Sequence, residues 1–129
     1  MRIDDMFIRL LDFIFPPSAE LQTVRALRPQ DMAYVFHERT IQNSIALSDF
    51  RNSQIRALIH EAKFHGNEHA FDLLGRLFLM HIECTPCPYD IIVPIPLSSP
   101  RKRARGYNQV EEILKCATRH VSLPLNSTL

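Results

Sequence analysis

Four cations, Arg101, Lys102, Arg103 and Arg105, crowd into one short stretch, and no acidic residue lies between Asp90 and Glu111. The whole chain nevertheless carries a formal net charge of only +1. That contrast marks a local anion site rather than a basic protein. The stretch follows the apolar run Ile91-Ile92-Val93-Pro94-Ile95-Pro96-Leu97 and leads through Ser98, Ser99 and Pro100 to Gly106, Tyr107, Asn108 and Gln109. A strand that turns into a helix start brings unpaired backbone N–H groups and the positive end of the helix dipole beside the cations. Phosphate or pyrophosphate suits that setting. An arbitrary charge run is more often a solvated loop. Three features favour the anion reading here: the strand-to-helix context, Gly106 permitting close backbone approach, and Asn108 and Gln109 at the helix start.

Other reactive groups are less organised. Cys84-Thr85-Pro86-Cys87 has the CxxC spacing, but there is no second pair and His81 is the only extra ligand candidate nearby. It reads as a linker with incidental thiols, not a zinc or redox site. His60-Glu61 departs from HExxH because position 64 is Phe, and His65 and His69 straddle Gly66. These read as ordinary surface histidines, and no metal is expected in the chain. Cys84, Cys87 and Cys116 are an odd count without an export signal, so the thiols are expected reduced and unpaired.

The elements that must position the basic stretch follow from periodicity. At 129 residues, 46% hydrophobic and 22% charged, the chain has the makings of one soluble core. Ile3, Met6, Phe7, Leu10, Leu11 and Ile14 predict a short amphipathic helix ending at Pro16-Pro17 and packing on the domain. Its Asp4, Asp5, Arg9 and Asp12 exclude a signal peptide or a membrane span, so no membrane partner and a cytoplasmic location are expected. Residues 18–31 read as an irregular connector. Met32–His37 and Ser44–Leu47 read as two short strands of a hairpin. Ile55, Leu58, Ile59 and Ala62 predict a helix capped at Asn52 or Ser53 and ended by Gly66. A second helix follows through Ala70, Leu73, Leu74, Leu77 and Phe78, closing before Pro86 and Pro88. Ile91–Ile95 suits a strand covered on both faces, with Pro94 and Pro96 marking an edge or its exit. Val110, Ile113, Leu114 and Ala117 predict a last helix, with Glu111 and Lys115 paired on its exposed side. This order predicts an α/β fold, with ligand beyond the carboxyl end of a parallel sheet at residues 97–109.

The run Asp90-Ile91-Ile92-Val93-Pro94-Ile95-Pro96-Leu97, followed by Arg101, Arg103 and Arg105-Gly106-Tyr107-Asn108-Gln109, resembles the signature of the ComF-like branch of the type I phosphoribosyltransferases. Upstream, Ile59-His60-Glu61-Ala62-Lys63-Phe64-His65-Gly66 and Leu73-Leu74-Gly75-Arg76-Leu77 are similar to that family's lead-in, so the likeness spans roughly residues 45–118. It implies a partial phosphoribosyltransferase-like domain over residues 44–129, preceded at 1–43 by an N-terminal helix and connector. It also implies a ligand, phosphoribosyl pyrophosphate (PRPP) or pyrophosphate, held by Leu97, Ser98, Ser99, Arg101, Arg103, Arg105, Gly106, Asn108 and Gln109. In that resemblance Arg103 and Arg105 contact phosphate oxygens, Gly106 and Asn108 shape the turn, and Lys63 neutralises phosphate.

The chain departs from the family's pattern in two ways. The four-cysteine zinc module often found at the start has no counterpart, since Met1 to Glu83 contains no cysteine. The acidic pair with its Thr-Gly turn, which holds ribose in the family, is also absent: no acidic residue follows Glu112 and no glycine follows Gly106. The Mg²⁺ that accompanies PRPP in the complete enzyme therefore has no organising motif here. The expectation is a truncated, catalytically incomplete PRPP or pyrophosphate binder, with a partner chain or self-association covering the cut sheet. Two alternatives stand beside it: a nucleic-acid-binding accessory of DNA uptake using the same cations, and a gene fragment with no independent role.

Overall fold

A computed structural model describes residues 2–127 except 85–87, and in it the chain is α/β but mostly helical. Among the described residues, seven α-helices accompany one two-stranded antiparallel sheet. The predicted first helix forms as α1, Ile3–Ile14, but none of its residues is buried. The expected packing on the domain does not occur. Residues 18–31, read as a connector, contain α2, Ala19–Ala26, whose N-cap Ser18 accepts the Leu21 N–H at 3.2 Å.

The chain turns helical again before the first predicted strand. In the 3-10 turn Pro29–Asp31, the Asp31 carboxylate accepts the Arg28 N–H at 2.8 Å. Arg28 holds that carboxyl below the usual carboxylate range. The contact therefore adds stability above the unfolded pKa, and that stability is lost as pH falls through the lower folded value. The turn runs into α3, Met32–Val35, so Met32–His37 is not a strand. Met32 and Val35 are both buried at i, i+3 spacing, the mark of one helical face. The hairpin exists one step later: β1, Arg39–Ile41, pairs antiparallel with β2, Ser44–Ala46.

The core is helical. Helix α4, Ser53–Phe64, starts where Asn52 accepts the N–H groups of Gln54 and Ile55 at 2.9 and 3.2 Å. It ends at His65, after which Gly66 takes φ +58°, a left-handed conformation that favours glycine. Helix α5, Glu68–Cys84, packs on α4 on one side and on α7, Gln109–Thr118, on the other. Gly75 makes the second contact close: a Cβ there would lie 2.8 Å from the Ile113 carbonyl oxygen. Val24, Leu27, Met32 and Val35 join Ile55, Leu58, Leu73 and Leu77 in one cluster, so residues before 44 share the core with those after it.

No parallel sheet forms among the described residues. Ile91–Ile95 is extended, but its ladder is a single parallel bridge between Ile92 and Leu125. The Ile92 N–H donates to the Pro124 oxygen and the Asn126 N–H to the Ile92 oxygen, both at 2.9 Å. Backbone groups two residues apart point the same way, so the next donors on that side would be Pro94 and Pro96, which have none. The prolines that mark the strand's exit stop the ladder after one rung. The CxxC thiols lie outside the described residues.

Candidate anion-binding site

The basic stretch is not a loop. It forms a short helix, α6, Ser99–Arg105, with Pro100 in its first turn, and Gly106 closes it at φ +78°. Proline near the start, Ala, Lys and Arg inside, and glycine just past the end are all helix signals. Lys102, Arg103 and Arg105 fall in its last turn, where the helix dipole favours cations. A Cβ placed on Gly106 would meet open space, and its left-handed backbone conformation favours glycine there.

Tyr107 fixes this helix against α4. Its hydroxyl accepts the Gly66 N–H at 2.9 Å and faces the carbonyls of Ala62 and Lys63 at 2.8 and 3.0 Å, to which it can donate its proton. Its ring meets Phe71 edge-on at 5.8 Å. Asn108, only 7% exposed, clamps the other end: its amide donates to the Ile95 carbonyl at 3.0 Å, and its oxygen accepts the Val110 N–H at 3.1 Å as the α7 cap. One residue thus joins the exit of the apolar run to the start of α7.

The clamp brings two candidates together across 42 positions of sequence, Lys63 and Arg105. The Lys63 ammonium lies 5.1 Å and the Arg105 guanidinium 5.8 Å from the centroid of the Phe64 ring, within cation–π range. Arg105 also donates to the Gln109 side-chain oxygen at 3.0 Å. Arg101, Lys102 and Arg103 are exposed on α6, and no ion pair among the described residues engages them. Ser98 and Ser99 are exposed and Leu97 is half-buried at the entrance to α6. Lys63 and Phe64 also line a cleft of ≈ 540 Å³ between α2 and α4, with Arg56, Ser53 and Thr23.

The start of α7, expected to stand beside the cations with open N–H groups, is partly capped and acidic. Asn108 already serves its Val110 N–H, and Glu111 and Glu112 occupy its first turn. Both acids pair with Lys115 at 3.2 Å, as the i, i+4 spacing predicts for Glu111, and those hydrogen bonds push the Lys115 pKa up. What remains for an anion is the cation set itself, Arg101, Lys102, Arg103, Arg105 and Lys63.

The fold gathers His60, Glu61, Phe64 and His65, whose sequence pattern reads only as surface histidines beside a failed HExxH motif. Phe64 gathers Lys63, Arg105 and the His60 ring, the last at 5.0 Å. Glu61 is buried at the end of α4, and His60 and His65 stand beside it, all donor atoms lying within 4.8 Å of one another. The available signal was the i, i+4 spacing of Glu61 and His65, which places them on one face at the end of α4. No helix is long and apolar enough to cross a membrane among the described residues. No family model matches the chain, and no curated protein or solved structure matches it.

Proposed function

We propose that this chain is a phosphoribosyltransferase-like protein of the ComF type that binds PRPP, or a pyrophosphate-like anion, through α6 and the end of α4. The observation that carries the reading is the convergence of Arg105 and Lys63 on Phe64, next to a helix bearing three further cations that no acidic side chain among the described residues pairs with. Several cations near a shared hydrophobic surface suit a multiply charged oxyanion better than a single carboxylate, because each added charge-assisted hydrogen bond finds another oxygen.

No residue is assigned to catalysis. Mg²⁺ does not fit the segment around α6: no acidic side chain follows Glu112, and Glu111 and Glu112 already pair with Lys115. No step is derived through it. The chemistry that Arg101, Arg103, Arg105 and Lys63 supply is electrostatic: they hold anionic oxygens and neutralise charge on them.

Calorimetric titration with pyrophosphate and PRPP tests the reading, with sulfate as the control anion. Binding of both is expected, and Arg105→Ala should weaken it by about 1.5–3 kcal/mol, the worth of a hydrogen bond to a charged group. Equal affinities in the wild type and Arg105→Ala would remove the site. Single-stranded DNA binding with a steep salt slope, and no response to the small anions, would replace it with the nucleic-acid reading.

A further inference from the structure

The geometry points to a transition-metal site at the end of α4, in which His60, Glu61 and His65 ligate one Zn²⁺-type divalent cation through two imidazole nitrogens and one carboxylate oxygen. Glu61 is 1% exposed, unusual for a carboxylate, and a buried charge needs partners. One oxygen has Asn67, whose amide donates at 3.2 Å. The other faces both histidines, with His65 Nδ1 at 2.8 Å and His60 Nδ1 at 3.9 Å.

His60 is the telling member. Its Nδ1 is buried and has no hydrogen-bond partner. At 3.9 Å it is too far from Glu61 to donate, and as a lone pair it would face a negative oxygen. A divalent cation resolves both problems by accepting the two imidazole lone pairs and the carboxylate at once. Ligand bonds of about 2.0–2.2 Å at a tetrahedral centre put donor atoms about 3.3 Å apart. The 2.8 and 3.9 Å carboxylate–imidazole separations bracket that value, and all three donor atoms lie within 4.8 Å of one another. Two imidazoles favour Zn²⁺, Co²⁺ or Ni²⁺ over Mg²⁺ or Ca²⁺, which prefer all-oxygen sites. Three protein ligands leave a position open, the arrangement of reactive rather than purely structural zinc. Asn67 on the second carboxylate oxygen is the outer-shell hydrogen bond that such sites employ.

The inference does not depend on the anion reading, although His60 shares the Phe64 ring with Lys63 and Arg105. The test uses the full chain, stripped with chelator and dialysed into phosphate-free buffer. Zn²⁺ is titrated by calorimetry, and Co²⁺ by its visible absorption. One ion per chain is expected, with the intense visible bands of tetrahedral Co²⁺ and no thiolate charge-transfer band. The side chains of His60 and His65 are 41% and 52% exposed, so His60→Ala and His65→Ala should fold. Each should weaken binding by more than the roughly 10–100-fold that outer-shell changes cause. Cys84→Ser with Cys87→Ser should bind as the wild type does. Absence of stoichiometric binding, affinity unchanged in both histidine variants, or loss in the cysteine double variant alone would each overturn the assignment.

Discussion

Helices α1 and α5 carry similar apolar stripes and meet opposite fates. In α1, Ile3, Met6, Phe7, Leu10, Leu11 and Ile14 recur at helical spacing, and every one stays exposed. In α5, Ala70, Leu73 and Leu77 follow the same rule and are buried. The difference lies in their neighbours. Helix α5 is covered by α4 and α7, whereas α1 is followed by Pro16-Pro17, which ends the helix and holds the chain extended before α2. Arg25 to Asp12, at 2.7 Å, links α1 to α2. Periodicity specifies that a helix has a face; it does not specify what covers it.

The largest effect that could break this contrast is a pair of truncations. Leu73→Ala removes a side chain that is fully buried and should cost about 2–5 kcal/mol, as leucine-to-alanine changes in packed cores do. Leu10→Ala, on a residue that is 55% exposed, should stay within about 0.5 kcal/mol. Urea unfolding of both variants decides it. Equal losses would mean that α1 is covered in solution.

What the sequence made legible follows the same division. The helices at 53–64, 68–84 and 109–118 were readable because their apolar periods are long and their ends are marked by Asn52, Gly66 and Asn108. The elements that were missed are short. Helix α2 has only Val24 buried, so periodicity had little to show, although Ser18 was a capping signal. Helix α6 has no buried residue; its clues were Pro100 and Gly106, which the charge run obscured. The parallel sheet was over-read, because the apolar content of Ile91–Ile95 suggested a ladder that Pro94 and Pro96 prevent. Within the site, the cations were visible but their convergence was not. That Lys63 and Arg105 share Phe64 depends on the Tyr107 hydroxyl reaching the end of α4, a contact between residues 44 positions apart in sequence. No local pattern encodes such a contact.

A second test sharpens the comparison by acting on what covers α5. Gly75→Ala would ordinarily stabilise a helix by up to about 1 kcal/mol. Here the new Cβ would sit 2.8 Å from the Ile113 oxygen and 3.2 Å from the Ala117 nitrogen, both backbone atoms that cannot rotate away. Forcing α5 and α7 apart should cost about 1–3 kcal/mol, enough to outweigh the propensity gain. A raised melting temperature in Gly75→Ala would show that the two helices separate easily, and that α5 is less firmly covered than its burial indicates.

The smallest expected effect lies at the other end of the comparison. Asp12 and Arg25 keep 33% and 45% of their side chains exposed, so solvent screens the pair and its worth should be at most about 0.2–1 kcal/mol. Asp12→Asn should leave the unfolding midpoint almost unchanged, because the pair is exposed and no residue of α1 is itself buried. Its effect should instead be local. Hydrogen exchange of the α1 amides should accelerate, while that of α5 amides around Leu73 stays as slow as in the wild type. High salt should reproduce the change in the wild-type protein, since screening weakens an exposed pair as substitution does. Loss of more than about 1 kcal/mol of global stability, or faster exchange in α5, would mean that α1 and the core unfold together, and the contrast between a bare helix and a covered one would fail.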